Sequence, residues 1–219
     1  AAADALNRAK AEHRRIVEDA LKFYRSTLHE ASTILFDRFR LHDAAIKVVG
    51  VGSVGTYCAV GLFLPADRDP LFLQVKEARA SVLEPYAGAS LHDNHGHRVV
   101  AGQRLMQAAS DILLGWTAGT GVDGRHFYVR QLRDMKIGAI IETMDAAALR
   151  YYAEVCGWAL ARAHARSGDP AMIAGYIGQN GKFPDAIAAF SLAYADQTVR
   201  DYRAMVRAVR DGRIEAVTE

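Results

Sequence analysis

Cysteine is scarce in this sequence. Only Cys58 and Cys156 occur among 219 residues, too few for the disulfide framework of a small secreted domain. We expect both thiols to be buried and inert, because each lies in an apolar segment. The sequence also lacks a secretory signal and an apolar run long enough to span a bilayer, so the expected location is the cytoplasm, without a membrane.

The sequence has no excess of charge of one sign. Its 27 Lys and Arg residues nearly balance 25 Asp and Glu residues, which leaves a net charge of +2. The basic residues are spread along the chain, so the sequence does not indicate a nucleic-acid-binding protein. With 51% hydrophobic residues, the chain can bury a core in one domain or in two small lobes.

A glycine-rich segment between β-prone runs is the main motif of the chain. The residues G-V-G-S-V-G at 50–55 lie between apolar runs at 44–49 and 56–64, and a polar turn at 65–70 leads to a third run that ends on Lys76. Glycines let backbone amides approach a phosphate closely, and a lysine supplies a point charge for it. This order of elements is typical of the N-terminal lobe of a kinase-like protein.

A dinucleotide-binding fold and a purely structural glycine turn are the two alternatives for this segment. In the dinucleotide fold the third glycine begins a helix, and an acidic residue about 20 positions later holds the ribose, a role that Glu77 could fill. Residues 56–64 make a poor helix, because they are rich in Thr, Tyr, Val and Phe and end at Pro65. We therefore favour the kinase-like lobe and predict that Thr56–Leu64 pairs antiparallel with Leu71–Lys76.

The predicted fold class is α+β. A kinase-like N-terminal lobe, made of an antiparallel sheet with a glycine-rich loop and one helix, would precede a helical subdomain. The predicted division is an N-terminal helical segment at 1–43, the sheet lobe at 44–136 and the helical subdomain at 137–219. Apolar spacing predicts helices over 1–30, 98–111, 145–167 and 184–210, and a second hairpin of Ile112–Trp116 with Arg125–Leu132.

The candidate nucleotide site lies in the sheet lobe, and its predicted ligand is ATP. Loop amides would cradle the phosphates, a lysine would pair with them, and the passage after the last strand would flank the adenine. The candidate residues are Gly50, Gly52, Ser53, Gly55, Lys76, Gln131 and Leu132. The sequence leaves the partner of Lys76 open, since the helix predicted at 98–111 has no Glu and Glu77 should point to the other face of its strand.

The catalytic half of a kinase is not recognisable. A kinase needs a catalytic Asp with an Asn a few residues later and a second Asp for magnesium. Asp169 stands in a suitable place, but Ala174 occupies the position of the Asn. We interpret the histidines at 92–97 as residues of a polar surface loop, because no second cluster with metal-ligand spacing exists. We therefore assign no catalytic and no metal-binding residue.

Six segments resemble a bacterial family known as domain of unknown function 2252. They are K-V-V-G-V-G-S-V-G-T (from Lys47), D-P-L-F-L-Q-V-K-E-A (from Asp69), S-V-L-E-P-Y (from Ser81), G-Q-R-L-M-Q-A-A-S-D (from Gly102), Y-V-R-Q-L-R-D-M-K (from Tyr128) and G-W-A-L-A-R-A-H-A-R-S-G-D (from Gly157). The resemblance covers nearly the whole chain. The family is distantly similar to protein kinases and aminoglycoside phosphotransferases.

The resemblance implies a division of labour between two halves of a longer protein. Full members are considerably longer, and their upstream half carries G-D-x-H-x-x-N-F-G and N-D-F-D-E segments that resemble a catalytic loop and a metal-binding Asp. This chain would be the C-terminal half, with magnesium bound only when an upstream half or another chain supplies those motifs. It departs from the family at Ala101, where the family has a Glu.

The expected function is therefore the ATP-binding half of a phosphotransferase of unknown acceptor, incomplete for catalysis on its own. The alternative is a non-catalytic nucleotide-binding or protein-interaction module.

Overall fold

A computed structural model describes residues 2–47, 50, 55–65, 69–117, 124–132 and 138–216, without the side chains of 2–10 and 13. The candidate residues Gly52 and Ser53 and the centre of the turn predicted at 65–70 lie outside this part of the chain. The chain divides into two compact units, residues 1–163 and 164–219. The three-part division given above stays a prediction.

The first unit contains a mixed set of helices and strands. In chain order they are α1 (Ala2–Tyr24), a 3-10 turn (Arg25–Thr27), α2 (Glu30–Phe36), β1 (Arg40–Ile46), β2 (Cys58–Leu64), β3 (Leu71–Ala78), α3 (Glu84–Ala87), α4 (His95–Met106), β4 (Gly115–Trp116), β5 (His126–Gln131), a 3-10 turn (Ile141–Thr143) and most of α5 (Ala146–Ser167). The second unit contains the end of α5, α6 (Pro170–Ile177) and α7 (Lys182–Arg210). The predicted α+β class is confirmed.

The described strands form one antiparallel sheet in the order β1-β2-β3-β5-β4. Both predicted hairpins are present, β2 with β3 and β4 with β5. The connection of β2 to β3 is short, as is usual for antiparallel neighbours, whereas the connection of β3 to β4 is long and contains α3 and α4. β5 lies between β3 and β4 and pairs with both.

The core lies on the face of the sheet that α1 covers. Val17, Ala20 and Tyr24 on α1 are buried in one cluster with alternate residues of the strands, such as Leu73 and Val75. Alternation along a strand places every second side chain on this face. The buried Tyr24 hydroxyl donates to the Leu113 carbonyl, which ties α1 to the segment before β4.

Helix boundaries differ from the predicted ones where capping chemistry decides them. α4 begins at His95 rather than at residue 98, because the Asn94 side chain accepts from the amide of His97 at 2.9 Å and so caps the helix. Glu84 begins the short α3, where Pro85 fits because proline has no N–H and the first turn of a helix needs none. None of the helices in the described ranges combines the length and apolar character needed to cross a bilayer.

Candidate functional site

The glycine-rich segment connects two antiparallel strands. β1 ends at Ile46, β2 begins at Cys58, and the two strands pair along their length. A dinucleotide-binding fold needs a helix that begins at the third glycine, whereas the chain enters an antiparallel strand three residues after Gly55. The dinucleotide alternative is therefore wrong, and the predicted strands on either side of the glycine-rich segment are confirmed.

Position 55 favours glycine because of its backbone conformation. Its φ angle is +76°, a left-handed conformation that residues with a Cβ adopt at a cost. At Gly50, by contrast, a Cβ would meet no atom of the described chain within 4 Å. A side chain at position 50 would therefore meet no described atom, which leaves room on that side of Gly50 for a ligand.

A row of side chains crosses the sheet at the base of this loop. Cys58 is paired with Lys76 and Lys76 with Tyr128, so these three residues share one face. Lys47 donates its amide to the Cys58 carbonyl at 2.9 Å, and alternation from Ala45 puts its side chain on that face too. We call Lys47, Cys58, Lys76 and Tyr128 the cationic row; it lies on the face opposite the α1 core.

The cationic row carries positive charge without acidic partners among the described residues. No described carboxylate forms an ion pair with Lys47 or Lys76, and α4 contains no Asp or Glu. The Lys76 ammonium lies 5.9 Å from the centre of the Tyr128 ring, within the range of a cation–π contact. Arg130, paired with Gln74, adds a third cation on the same face.

The pKa of the Cys58 thiol is influenced by the charges of the cationic row. Burial raises the pKa of its thiol, while a hydrogen bond from Gln74 and the nearby charges of Lys76 and Lys47 partly oppose that rise. Cys58 is 3% exposed, which confirms the predicted burial of this cysteine. Cys156 is exposed, so that prediction is wrong for the second thiol.

An apolar depression lies beside the cationic row on the same face. It has a volume of about 220 Å³ and is lined by Asp43, Ala44, Ala45, Val60, Leu62 and Phe72. Val60 and Leu62 follow Cys58 along β2 at two-residue steps, so the depression begins one step away from the lysines. The face thus combines an apolar surface with a cationic end next to the glycine loop.

The opposite face holds the exit of the loop in place. Glu77 accepts from the amide of Tyr57 at 2.8 Å and from Arg79 at 2.7 Å, and Arg79 also donates to the Gly55 carbonyl. Burial opposes ionisation of Glu77, but these hydrogen bonds outweigh it and hold the pKa of the carboxyl below its usual value. The predicted orientation of Glu77, away from Lys76, is confirmed, and its hydrogen bonds, together with that of Arg79, fix Gly55 and Tyr57, at the exit of the loop, to β3.

The predicted adenine contacts have their amides engaged within the protein. The amide of Gln131 donates to the Asp111 carboxylate at 2.6 Å, and the amide of Leu132 donates to the Phe72 carbonyl at 2.9 Å. Leu132 is half-buried beside one residue of the apolar depression, whereas Gln131 is exposed and paired with Leu73, on the core face. The geometry therefore associates Leu132, rather than Gln131, with the apolar depression.

Asp169 is a structural residue in the second unit. Its Oδ1 atom accepts from the amides of Ala171 and Met172, at 2.8 and 3.1 Å, and so caps α6. This explains the residue by helix capping rather than by a catalytic loop, which was the role considered for it from the sequence.

The histidines at 92–97 are partly organised by α4. His97 stacks on Trp116 with ring centres 4.0 Å apart, His92 lies 4.2 Å from His97, and His95 donates its backbone amide to Nδ1 of His126. His95 and His97 belong to the first turn of α4 and are half-buried, so the prediction of a surface loop is wrong for these two. No group of three or more metal-ligating side chains is assembled among the residues that the structure describes.

The environments of His97 and His126 predict that the protein loses folding stability in acid. Burial, then the neighbouring His92 and Arg104, lowers the pKa of His97, and burial, then His95, lowers the pKa of His126. A lowered histidine pKa means that the folded state binds fewer protons, so the free energy of unfolding is undiminished above pH 6.5 and falls as the pH drops below it.

The measurement is urea denaturation at pH 7.5 and pH 5.0. His97→Phe, which keeps a ring on Trp116, should lose less stability between the two pH values than the wild type. His164→Phe, on the exposed surface of α5, is the control and should behave as the wild type. An equal acid loss in all three proteins would contradict the assignment.

Sequence reasoning overlooked Lys47 and Tyr128. Neither belongs to a recognised spacing, because their place beside Lys76 depends on the cross-strand register. Counting two-residue steps back from the glycine loop would have placed Lys47 on the face of Lys76 once the hairpin was assumed.

The chain belongs to the family described as an uncharacterized protein conserved in bacteria, DUF2252, whose model matches residues 1–208. The family expected from the six sequence segments is thus confirmed. Neither the curated proteins nor the solved structures contain a match to the chain.

Proposed function

We propose that this member of the DUF2252 family binds ATP on the cationic face of its sheet, as the nucleotide-binding half of a kinase-like phosphotransferase. The observation that carries the proposal is the cationic row at the base of the glycine hairpin. It brings Lys47 and Lys76 two strands apart, about 10 Å between strand axes, with no described carboxylate paired to either.

The phosphates would lie at the end of the sheet where the loop joins it. A polyphosphate carries several negative charges, and two lysines with Arg130 in the next row can compensate them. Loop amides can approach closely because a side chain at position 50 would meet no described atom. The contacts of Glu77 and Arg79 with Tyr57 and Gly55 would hold the exit of the loop in position before a ligand binds.

The base would lie on the apolar depression. Ligand sites combine apolar walls with a few placed polar groups, and here Val60, Leu62 and Phe72 supply the wall beside the cations. The depression is shallow and open on one side, so a second surface is needed to enclose the base. We expect weak binding by this chain alone, with a dissociation constant of about 10 μM to 1 mM.

Magnesium is not accommodated by the residues that the structure describes, since they assemble no group of three or more metal-ligating side chains. A kinase-like reaction needs such ligands and a catalytic Asp. We propose that an upstream half of the protein or another chain supplies the magnesium ligands and the catalytic Asp. This chain alone would then bind the nucleotide but would not form a complete catalytic site. The acceptor of the phosphoryl group is a property of that complete site.

A non-catalytic nucleotide-binding module is the second candidate. It is favoured by Asp169, the carboxylate that the sequence placed nearest to a catalytic position, because its oxygen caps α6. In this case the chain would bind the nucleotide without turning it over, even when complete.

Removal of one lysine tests the nucleotide site. Lys76→Ala should weaken ATP binding by roughly tenfold, the contribution of one charge-assisted contact, and Lys47→Ala should weaken it similarly. The measurement is isothermal titration calorimetry with ATP, with and without magnesium. Lys22→Ala, an exposed lysine of α1 paired with Asp19, is the matched control and should leave the affinity unchanged.

Equal ATP affinities for the wild type and for Lys76→Ala would exclude the cationic row as the phosphate site. A response of Lys22→Ala as large as that of Lys76→Ala would show non-specific attraction by surface charge instead.

A further inference from the structure

Helix α7 presents a continuous stripe of mostly large apolar side chains that the other described residues of the second unit do not bury. Its residues recur at three- and four-residue steps, which keeps them on one side of a helix. We call this set the α7 stripe: Phe183, Ile187, Phe190, Tyr194, Thr198, Tyr202, Met205 and Val209. Six of its large side chains are between 38% and 66% exposed, and no residue of α7 is buried.

Such a helix needs a partner for its stripe. Helices in proteins are stabilised mainly by packing of an apolar face rather than by intrinsic propensity. Within α7 the rings of Phe190 and Tyr194 stack at 5.5 Å, and Phe183 contacts Tyr176 of α6 at 6.2 Å. Within the second unit these ring contacts cover the stripe only in part, so much of its area is left for a surface outside that unit.

The α7 stripe has an internal symmetry that suits a second copy of the same chain. Reversing the direction of the helix about residue 196 exchanges Phe183 with Val209, and Ile187 with Met205. The same reversal exchanges Phe190 with Tyr202, and Tyr194 with Thr198. Every member of the stripe thus maps onto another member. A two-fold interface requires this property, because residue i of one copy meets residue j of the other and the reverse.

We propose that two copies of this chain associate through α7, with the two helices antiparallel and the two-fold axis near residue 196. Three of the four pairs then join a large residue to a smaller or more flexible one: Phe183 with Val209, Ile187 with Met205, and Tyr194 with Thr198. The fourth pair joins Phe190 to Tyr202. Alternation of this kind lets side chains interdigitate, and the aromatic pair adds a specific contact.

The charges of α7 favour the antiparallel direction over the parallel one. The second half of the helix carries Arg200, Arg203, Arg207 and Arg210 against one carboxylate, Asp201, whereas the first half carries Lys182 against Asp185 and Asp196. A parallel pair would place the two arginine-rich halves side by side. The antiparallel pair places each beside the slightly acidic half, and it also opposes the two helix dipoles.

The acidic residues of α7 are compatible with this arrangement. Asp196 lies two residues from both Tyr194 and Thr198, so it points away from the stripe and does not meet its own copy. Asp201 borders the stripe and accepts from Gln197 at 2.6 Å. The same reversal places it opposite Ser191 of the second copy, a hydroxyl that can donate to it.

The oligomeric state of the full chain tests the proposal. By analytical ultracentrifugation across micromolar concentrations, the wild type should be a reversible dimer. Phe190→Asp, which introduces a charge into the stripe of both copies, should weaken the dimer on the order of a hundredfold. Leu192→Asp is the matched control, because Leu192 is 74% exposed on the other side of α7, and it should leave the dimer intact.

Cysteine exchange tests the direction of the helices. In a Cys156→Ser background, a mixture of Ile187→Cys chains and Met205→Cys chains should form a mixed disulfide under mild oxidation. Ile187→Cys chains alone should form little disulfide. A parallel pair would give the opposite pattern and would overturn the antiparallel arrangement.

The proposal is overturned if the wild type stays monomeric while circular dichroism shows native helix content. It is equally overturned if Phe190→Asp and Leu192→Asp change the association to the same extent. Circular dichroism of each variant distinguishes a lost interface from a lost helix, since all the replaced side chains are exposed in the single chain.

Discussion

Gly96→Ala should destabilise the first unit by about 3 kcal/mol or more, the upper range for overpacking a buried site. Gly96 is buried in the first turn of α4, and a Cβ there would lie 2.1 Å from the Phe127 carbonyl oxygen and 2.7 Å from its carbon. These are backbone atoms of β5, which is paired on both sides within the sheet. The Phe127 carbonyl cannot move without breaking the pairing of β5 with its neighbouring strands. The added Cβ would therefore push α4 away from the sheet.

The urea-unfolding midpoint measures this effect, and Gly102→Ala is its control in the same helix. A Cβ at Gly102 meets no atom of the described chain within 4 Å, so alanine should stabilise the protein by about 0.5–1 kcal/mol through helix propensity. The two substitutions are chemically identical and are expected to act with opposite sign. A Gly96→Ala protein as stable as the wild type would mean that α4 does not pack on β5 in this way.

The purified 219-residue chain should turn over ATP orders of magnitude more slowly than a kinase, for which roughly 1–100 per second is typical. Phosphoryl transfer depends on positioning and on neutralisation of charge by magnesium. The described residues offer cations for binding but assemble no metal-ligand group. Binding without a metal site leaves the charge that develops on the transferred group uncompensated.

Asp169→Asn is the decisive variant in the turnover measurement. Because Asp169 caps α6 through its side-chain oxygen, Asn, which caps helices equally well, should change neither the residual turnover nor the stability. Asp169→Ala should cost about 1 kcal/mol of stability, the usual contribution of an N-cap. Magnesium-dependent turnover near 1 per second that Asp169→Asn abolishes would instead place a catalytic loop at this residue.

The fold was predictable where local patterns were strong. The long helices α1, α5 and α7 follow from apolar spacing, and both hairpins follow from β-prone runs separated by turn residues. Helix ends were less predictable, because Asn94 and Gly181 set the starts of α4 and α7 by capping and backbone conformation rather than by hydrophobicity. The burial of Cys58 and the exposure of Cys156 show the same limit, since both lie in apolar segments and only packing distinguishes them.

The candidate site was predictable in part. Glycines 50 and 55 and Lys76 stand out in the sequence as a loop and a strand-borne charge, and the opposite orientation of Glu77 follows from strand alternation. Lys47, Tyr128 and Arg130 join Lys76 only through the register of β1, β2, β3 and β5. Register is a property of pairing between distant segments, so single-segment patterns do not contain it.

By itself the sequence determined the α+β class, the strands on either side of the glycine-rich segment, the family and the periodicity of α7, because each is written in local spacing or in motif identity. The tertiary structure alone decided which charges meet, how Glu77 and Arg79 hold the exit of the loop, and that Gly96 must be a glycine. Those three depend on atoms brought within a few ångströms of one another by chain segments 20 or more residues apart. Such contacts arise from the folding of the whole sheet and from the close packing of its interior, which no local pattern encodes.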